Sequence, residues 1–181
     1  MKPLATLRGS NTLLAPLLPG DVSADYVSWL NDAETTRYTE ARHRSHDEES
    51  TRQYVAEASA SKSAALWSVK VGAEHVGNIR LSNIDPIHRR AAVAILIGSG
   101  AQRGVGVGTE AIALVTRFAF DELAIEKLVA GIYETNIACR RAFEKARYHL
   151  DAVLTRHVIS EGKRIDVLQL ARFSDHECDA R

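Results

Sequence analysis

The chain has 181 residues, 45% of them hydrophobic and 25% charged, with 23 basic residues against 23 acidic ones. A chain of this size and composition makes one globular domain and buries enough apolar surface to fold without metal or disulfide. The zero formal charge, with no cluster of consecutive Lys or Arg, argues against nucleic acid as the main partner, and no segment approaches the roughly 20 apolar residues of a membrane-spanning helix.

Residues 1–8 lack the apolar stretch and small-residue cleavage site of a secretory signal, so the expected compartment is the cytoplasm. Apolar residues over 11–18 predict a first strand, ended by Pro19-Gly20-Asp21, and the amphipathic stretch 22–30 predicts a helix. Residues 31–46 turn charged and aperiodic, with Arg37, Tyr38, Glu40, Arg42, His43 and Arg44 close together, which predicts a loop. Ser45 followed three residues later by Glu48 has the form of a capping box, opening a helix to about residue 59. Runs 65–71 and 76–84, joined by Gly72-Ala73-Glu74-His75, predict a β-hairpin. After the polar link 85–90, the nearly all-apolar run 91–97 predicts a central strand covered on both faces.

Glycines at 98, 100, 104, 106 and 108 lead into 109–120, where Ile112, Leu114, Val115, Phe118 and Phe120 recur at helical period, so a helix starts inside the glycine cluster. A strand over 127–133, a helix over 136–145 and strands over 148–158 and 164–173, joined by Ser160-Glu161-Gly162-Lys163, complete the order. The polar tail 174–181 is expected to fray. Cys139 and Cys178 have no CxxC or Cys/His ligand spacing, so neither a disulfide nor a metal site is expected, and Cys139 reads as a small packing residue. Trp29, Trp67 and Phe118 fall at periodic apolar positions and read as core.

Strand, glycine-rich turn, helix is the arrangement in which backbone N–H groups and a helix N-terminus converge on an anion, commonly a phosphate. Arg103 could add charge-assisted hydrogen bonds to it. The plainer alternative is a turn that needs glycine only for its own geometry. A P-loop requires Lys then Ser or Thr after its last glycine, but Gly108 is followed by Thr109-Glu110. Gly106 to Ala111 matches the relaxed dinucleotide fingerprint GxGxxA, yet too little chain follows for that doubly wound fold. Arg103-Gly104-Val105-Gly106-Val107-Gly108 satisfies a third pattern, Arg/Gln-x-x-Gly-x-Gly/Ala, after a central strand.

With Arg89-Arg90-Ala91, Val93 to Gly98, Asn136 and Phe143-Glu144-Lys145 in order around it, this segment resembles the GNAT acetyltransferases over roughly residues 84–148. Within them the chain resembles the ribosomal-protein N-terminal acetyltransferases and the nucleotide-linked amino-sugar N-acetyltransferases. Trp29-Leu30-Asn31-Asp32 and Ile165-Asp166-Val167-Leu168 lean toward the sugar enzymes. The resemblance implies one α/β domain over 1–181, with a mixed central sheet of about six or seven strands, helices on both faces and a splayed central strand pair.

It also implies acetyl-coenzyme A as acetyl donor. Leu96 and Ile97 would run beside its pantetheine, Gln102, Arg103, Gly104, Val105, Gly106, Val107, Gly108 and Thr109 would meet the pyrophosphate, and Asn136 and Phe143 would lie along the arm. Asn136 is equally suited to a plain helix N-cap. Glu134, at a strand end two residues before Asn136, is the candidate base and His88 the second, although a solvated strand-end carboxylate and a surface hairpin histidine are the structural alternatives. The proton donor usual in the family is replaced by Phe143, and a frequent glutamate by Ala92, which leaves Tyr148 as the candidate acid. Arg37, Tyr38 and Arg42 would face the acceptor, a small amine such as a nucleotide-linked amino sugar. The alternatives are a peptide N-terminus, or a non-catalytic acyl-coenzyme A sensor; a homodimer is compatible with either.

Overall fold

The computed structural model describes residues 4–174. In chain order the elements are β1 (Leu7–Arg8), β2 (Leu13–Pro16), α1 (Ala24–Asn31), α2 (Ala33–Thr36), α3 (Glu48–Ala60), β3 (Ala65–Val71), β4 (Glu74–Asp85), β5 (Arg90–Ile97), α4 (Val107–Leu123), β6 (Lys127–Tyr133), α5 (Ile137–Lys145), β7 (His149–Ser160) and β8 (Lys163–Phe173). They form one sheet of eight strands in the order β1-β2-β3-β4-β5-β6-β8-β7. Every pairing is antiparallel except β5 with β6. The expected six or seven strands become eight because the apolar run 11–18 contributes only β2, while β1, too short to show a period, pairs with it through Leu7 and Leu14.

Helices cover both faces. On one face α4 and α5 close over Trp67, Ile79, Leu81, Val93 and Leu128, with Ile112, Val115 and Phe143 facing them. The spacing 111, 112, 115, 118, 119 along α4 puts one continuous apolar stripe against the sheet. On the other face Tyr26 of α1 and Val55 and Ala58 of α3 bury Leu66 and Leu17 in a second cluster. Trp67 and Phe118 are core, as expected, whereas Trp29 is half-buried at the edge of the second cluster. It packs where a Cβ on Gly98 would come within 1.9 Å of its ring, so residue 98 admits no side chain.

Four local expectations need correction. The charged segment 31–46 is not a plain loop: it holds α2 and a 3-10 turn at Glu40–His43. Such short pieces carry no helical period to read. The cap of α3 is Asp47, which exchanges hydrogen bonds with Ser50, and not Ser45 with Glu48. Strand β5 is not covered on both faces: Ala91 and Val93 are buried, but Ala94 is exposed. Ser174 is buried and its amide donates to Glu126 at 2.9 Å, so the predicted tail does not begin there. Residues 175–181, including Cys178, lie outside the described residues. Among the described residues, no helix is long and apolar enough to cross a membrane.

Candidate active site

Strands β5 and β6 pair in parallel only from Arg90 to Ala92, opposite Lys127 to Val129. From Val93 onward they diverge, which leaves the β6-facing backbone edge of β5 without a strand partner. The open edge runs straight into the glycine segment. Gly104 and Gly106 sit at φ +77° and +99°, the left-handed region that side chains disfavour, and Gly106 is the N-cap of α4. A Cβ built on either would meet nothing of the protein within 4 Å. The loop therefore stays open on its outer side. The first amides of α4 have no carbonyl inside the helix to bond, and the carboxylate of Glu110 in that first turn is occupied elsewhere, accepting from the amides of Ser10 and Asn11. An unpaired strand edge followed by unengaged, dipole-aligned amides fits an extended chain that ends in a pyrophosphate.

Arg103 is not free to join that anion as its sequence position suggests. Its guanidinium donates to the carbonyls of Ile97 at 3.0 Å and Gly98 at 3.3 Å, to Thr35 Oγ1 at 2.6 Å and to Glu34 Oε1 at 3.2 Å. The side chain ties the loop to the end of β5 and to α2. The amides of Gln102 and Arg103 are also engaged, on the carbonyls of Ser99 at 3.1 Å and Gly100 at 3.2 Å, which leaves the amides from Gly104 to Thr109 for the open side.

Beyond the splay, period-2 alternation sends Leu128, Ala130 and Ile132 into the α4 core and Tyr133 to the opposite face. There the Tyr133 hydroxyl donates to Glu40 Oε1 at 2.8 Å and accepts from Arg42 Nη2 at 3.2 Å. Burial first, then the hydrogen bond to Glu40, pushes the Tyr133 phenol above its usual range, so it stays protonated. Tyr38 stacks edge-on against Tyr133 at 6.2 Å. Neither Glu40 nor Tyr133 is picked out by a local motif, since they stand 93 residues apart; the only hint is that Tyr133 falls off the core phase of its strand. Alongside lies a groove of about 330 Å³ lined by Arg37, Arg42, Arg44, Thr36, Ser160 and Glu161 among others. Arg37 pairs with Glu161 at 2.6 Å across it.

The remaining candidates are not brought to this place. Glu134 is exposed, and its Oε1 accepts from the amide of Asp166 on β8 at 3.1 Å. Because β8 flanks β6 on the side away from β5, that carboxylate is turned from the gap. His88 occupies the turn between β4 and β5, at the end of β5 opposite the glycine loop, with its amide on Asp85. Phe143 is 2% exposed and packs edge-on to Tyr148 at 5.0 Å, so it lines the core and not the open edge. Asn136 caps α5 by accepting from the amide of Cys139 at 3.2 Å. Burial pushes the Cys139 thiol up to about 11, which leaves no thiolate for nucleophilic attack.

Tyr148 is 1% exposed, its hydroxyl is 2.8 Å from Thr116 Oγ1, and burial pushes its phenol up to about 12 against the pull of that hydrogen bond. It cannot reach an acceptor. Tyr148→Phe is expected to leave turnover within a few-fold of wild type and to cost about 1 kcal/mol of stability in denaturant unfolding; a hundredfold loss of turnover at unchanged stability would return Tyr148 to the mechanism.

A family model described as an acetyltransferase (GNAT) domain matches residues 11–149. The YjcK protein of Bacillus subtilis is 36% identical over 62 residues, which span 34% of this chain and 34% of that one. The α/β-tubulin N-acetyltransferase 9 of Homo sapiens is 26% identical over 167 residues, 86% of this chain and 79% of that protein. Among solved structures, the ribosomal L7/L12 α-N-protein acetyltransferase RimL in complex with coenzyme A superposes with a TM-score of 0.86 at 16% identity, over 94% of this chain and 99% of that one. The spermidine N-acetyltransferase of Vibrio cholerae, in complex with coenzyme A and spermine, gives 0.81 at 18% identity, over 91% and 96%. At these identities the superpositions establish the fold.

Proposed function

Because the chain belongs to the GNAT acetyltransferases, whose family model spans more than half of it, we propose that it moves the acetyl group of acetyl-coenzyme A to the amine of an anion-bearing acceptor such as a nucleotide-linked amino sugar. The observation that carries the acceptor reading is the groove lined by Arg42, whose guanidinium also reaches Tyr133 at the end of β6. Arg37, Arg42 and Arg44 line it against the single carboxylate of Glu161. Arg44 has no side-chain partner among the described residues, and such a wall repels a polyamine while it attracts phosphate or carboxylate.

When bound, the cofactor supplies an acyl thioester. The chain's own residues hold it, through the open edge of β5 near Leu96 and Ile97 and the amides of Gly104 to Thr109. The acceptor nitrogen must lose a proton as it forms the new C–N bond, and Glu40 takes that role in place of Glu134. Glu40 is an exposed carboxylate that accepts from the hydroxyl of Tyr133 at 2.8 Å and lies 3.8 Å from His43 Nε2. Tyr133, kept protonated and oriented by Arg42, positions Glu40 by donating its hydroxyl hydrogen to it. The C–S bond breaks as the C–N bond forms, and the sulfur leaves as a thiolate.

The tubulin N-acetyltransferase relative and the superposed α-N-protein acetyltransferase favour a second acceptor, a protein amine such as a peptide N-terminus; an acidic peptide would suit the same groove. Thiol release from acetyl-coenzyme A, screened over nucleotide-linked amino sugars, acidic and basic peptides and polyamines, separates these. Turnover confined to polyamines overturns the anionic-acceptor reading, and no thiol release with any amine points to a sensor.

A further inference from the structure

The sheet face that carries Ala92, Ala94 and Leu96 also carries Asn78 and Arg80. The antiparallel register sets Asn78 opposite Leu96 and Arg80 opposite Ala94, and opposed residues project to the same side. Ala94 is exposed in the middle of a central strand, so no helix covers the sheet at that point. Arg80 beside it is half-buried, and among the described residues it has no carboxylate partner. Its Nη1 donates to the Tyr54 hydroxyl at 3.1 Å and its guanidinium lies 5.5 Å from the Tyr54 ring centre, while its Nε is shielded with no hydrogen-bond partner. Two residues away on the same face, Asn78 is 6% exposed and its Nδ2 is also shielded and unpartnered.

A guanidinium drawn partly out of water keeps its desolvation cost unless a counter-charge arrives. The titratable groups that face it are the phenols of Tyr54 and Tyr26, and burial pushes the Tyr26 phenol far above its usual range. That phenol therefore stays protonated and supplies no such charge. Resting on the acetyltransferase reading above, we propose that Arg80 binds the acceptor by taking an anionic oxygen, carboxylate or phosphate, carried near the reacting nitrogen. Neighbouring strands lie about 4.8 Å apart, so Arg80 on β4 stands one strand spacing from β5, whose open edge lies on its far side toward β6. The anion it receives is therefore about 5 to 10 Å from the nitrogen. That selects an amine with a built-in acid group, such as a phosphorylated amino sugar or an acidic amino terminus. Arg37, Arg42 and Arg44 are left to more distant charges of the same molecule.

The test is calorimetric titration of inorganic phosphate, and separately of acetate, into the full chain saturated with coenzyme A, so that the amides at α4 are already filled. The wild type is expected to bind at least one of the two anions, and which one it prefers assigns the acid group. Arg80→Gln is expected to weaken that binding by about tenfold or more, and Arg80→Lys, which keeps the charge but loses the fork, by a smaller factor. Absence of binding in the wild type overturns the proposal, as does retained affinity in Arg80→Gln, whatever Arg44→Gln does in parallel. Coenzyme A affinity, measured in the same samples, shows whether each variant is folded. If the wild type does not bind coenzyme A, the acetyltransferase reading fails, and the anion titration of the unloaded protein still decides the role of Arg80.

Discussion

Gly106→Val is expected to weaken coenzyme A binding by about a hundredfold in a calorimetric titration, while the protein stays folded. Gly106 holds φ at +99°, and a non-glycine residue in that region costs of order 1 to 3 kcal/mol, toward the upper end for a β-branched side chain. Since about 1.4 kcal/mol is a factor of ten in affinity, the strain alone accounts for the expected loss if the chain must adopt this turn to bind. Nothing of the protein lies within 4 Å of the added Cβ, so the core has no reason to respond. The core stripe of α4 begins beyond this residue and stays in place. Unchanged affinity would show that the pyrophosphate is received elsewhere.

Glu40→Gln is expected to lower turnover by about two to four orders of magnitude at neutral pH, with coenzyme A affinity unchanged. The amide keeps the size of the side chain and can still accept from Tyr133, but it cannot take a proton. Glu134→Gln is expected to cost only a few-fold, because its carboxylate serves the amide of Asp166 on the far side of β6. Near-normal turnover in Glu40→Gln, with a large loss in Glu134→Gln, would reverse the assignment. Steady-state thiol release with one acceptor from the screen is sufficient to distinguish the outcomes.

The features that sequence carried well are those with a local signature. The β3–β4 and β7–β8 hairpins, the apolar stripe of α4 and the glycine turn all announce themselves within a dozen residues, through period or through residues that only certain backbone angles admit. The site's polar groups do not. Glu40, Arg42 and Tyr133 meet across 93 residues, and nothing in the charged stretch 31–46 tells which of its side chains turns toward β6. Arg103 looked like a phosphate ligand because position in a motif gives the backbone path, whereas the direction of a long side chain depends on partners such as Thr35 that are distant in the chain. Tyr148 and Phe143 were ambiguous for a related reason. An aromatic ring reads the same whether it turns to the core or to a ligand, and the edge-on contact between Phe143 of α5 and Tyr148 just before β7 settles it only once α5 is placed.

Arg103 also constrains how this protein could be altered. One side chain fastens the glycine turn proposed for the cofactor to the short helix α2, from which the groove proposed for the acceptor continues through Thr36 and Arg37. The two half-sites therefore share a bracket. A designer who redraws α2 to admit a new acceptor also removes Glu34 or Thr35 from under the glycine turn. Grafting the acceptor-side segment of another acetyltransferase onto this scaffold thus requires carrying position 103 and its partners with it as one cassette.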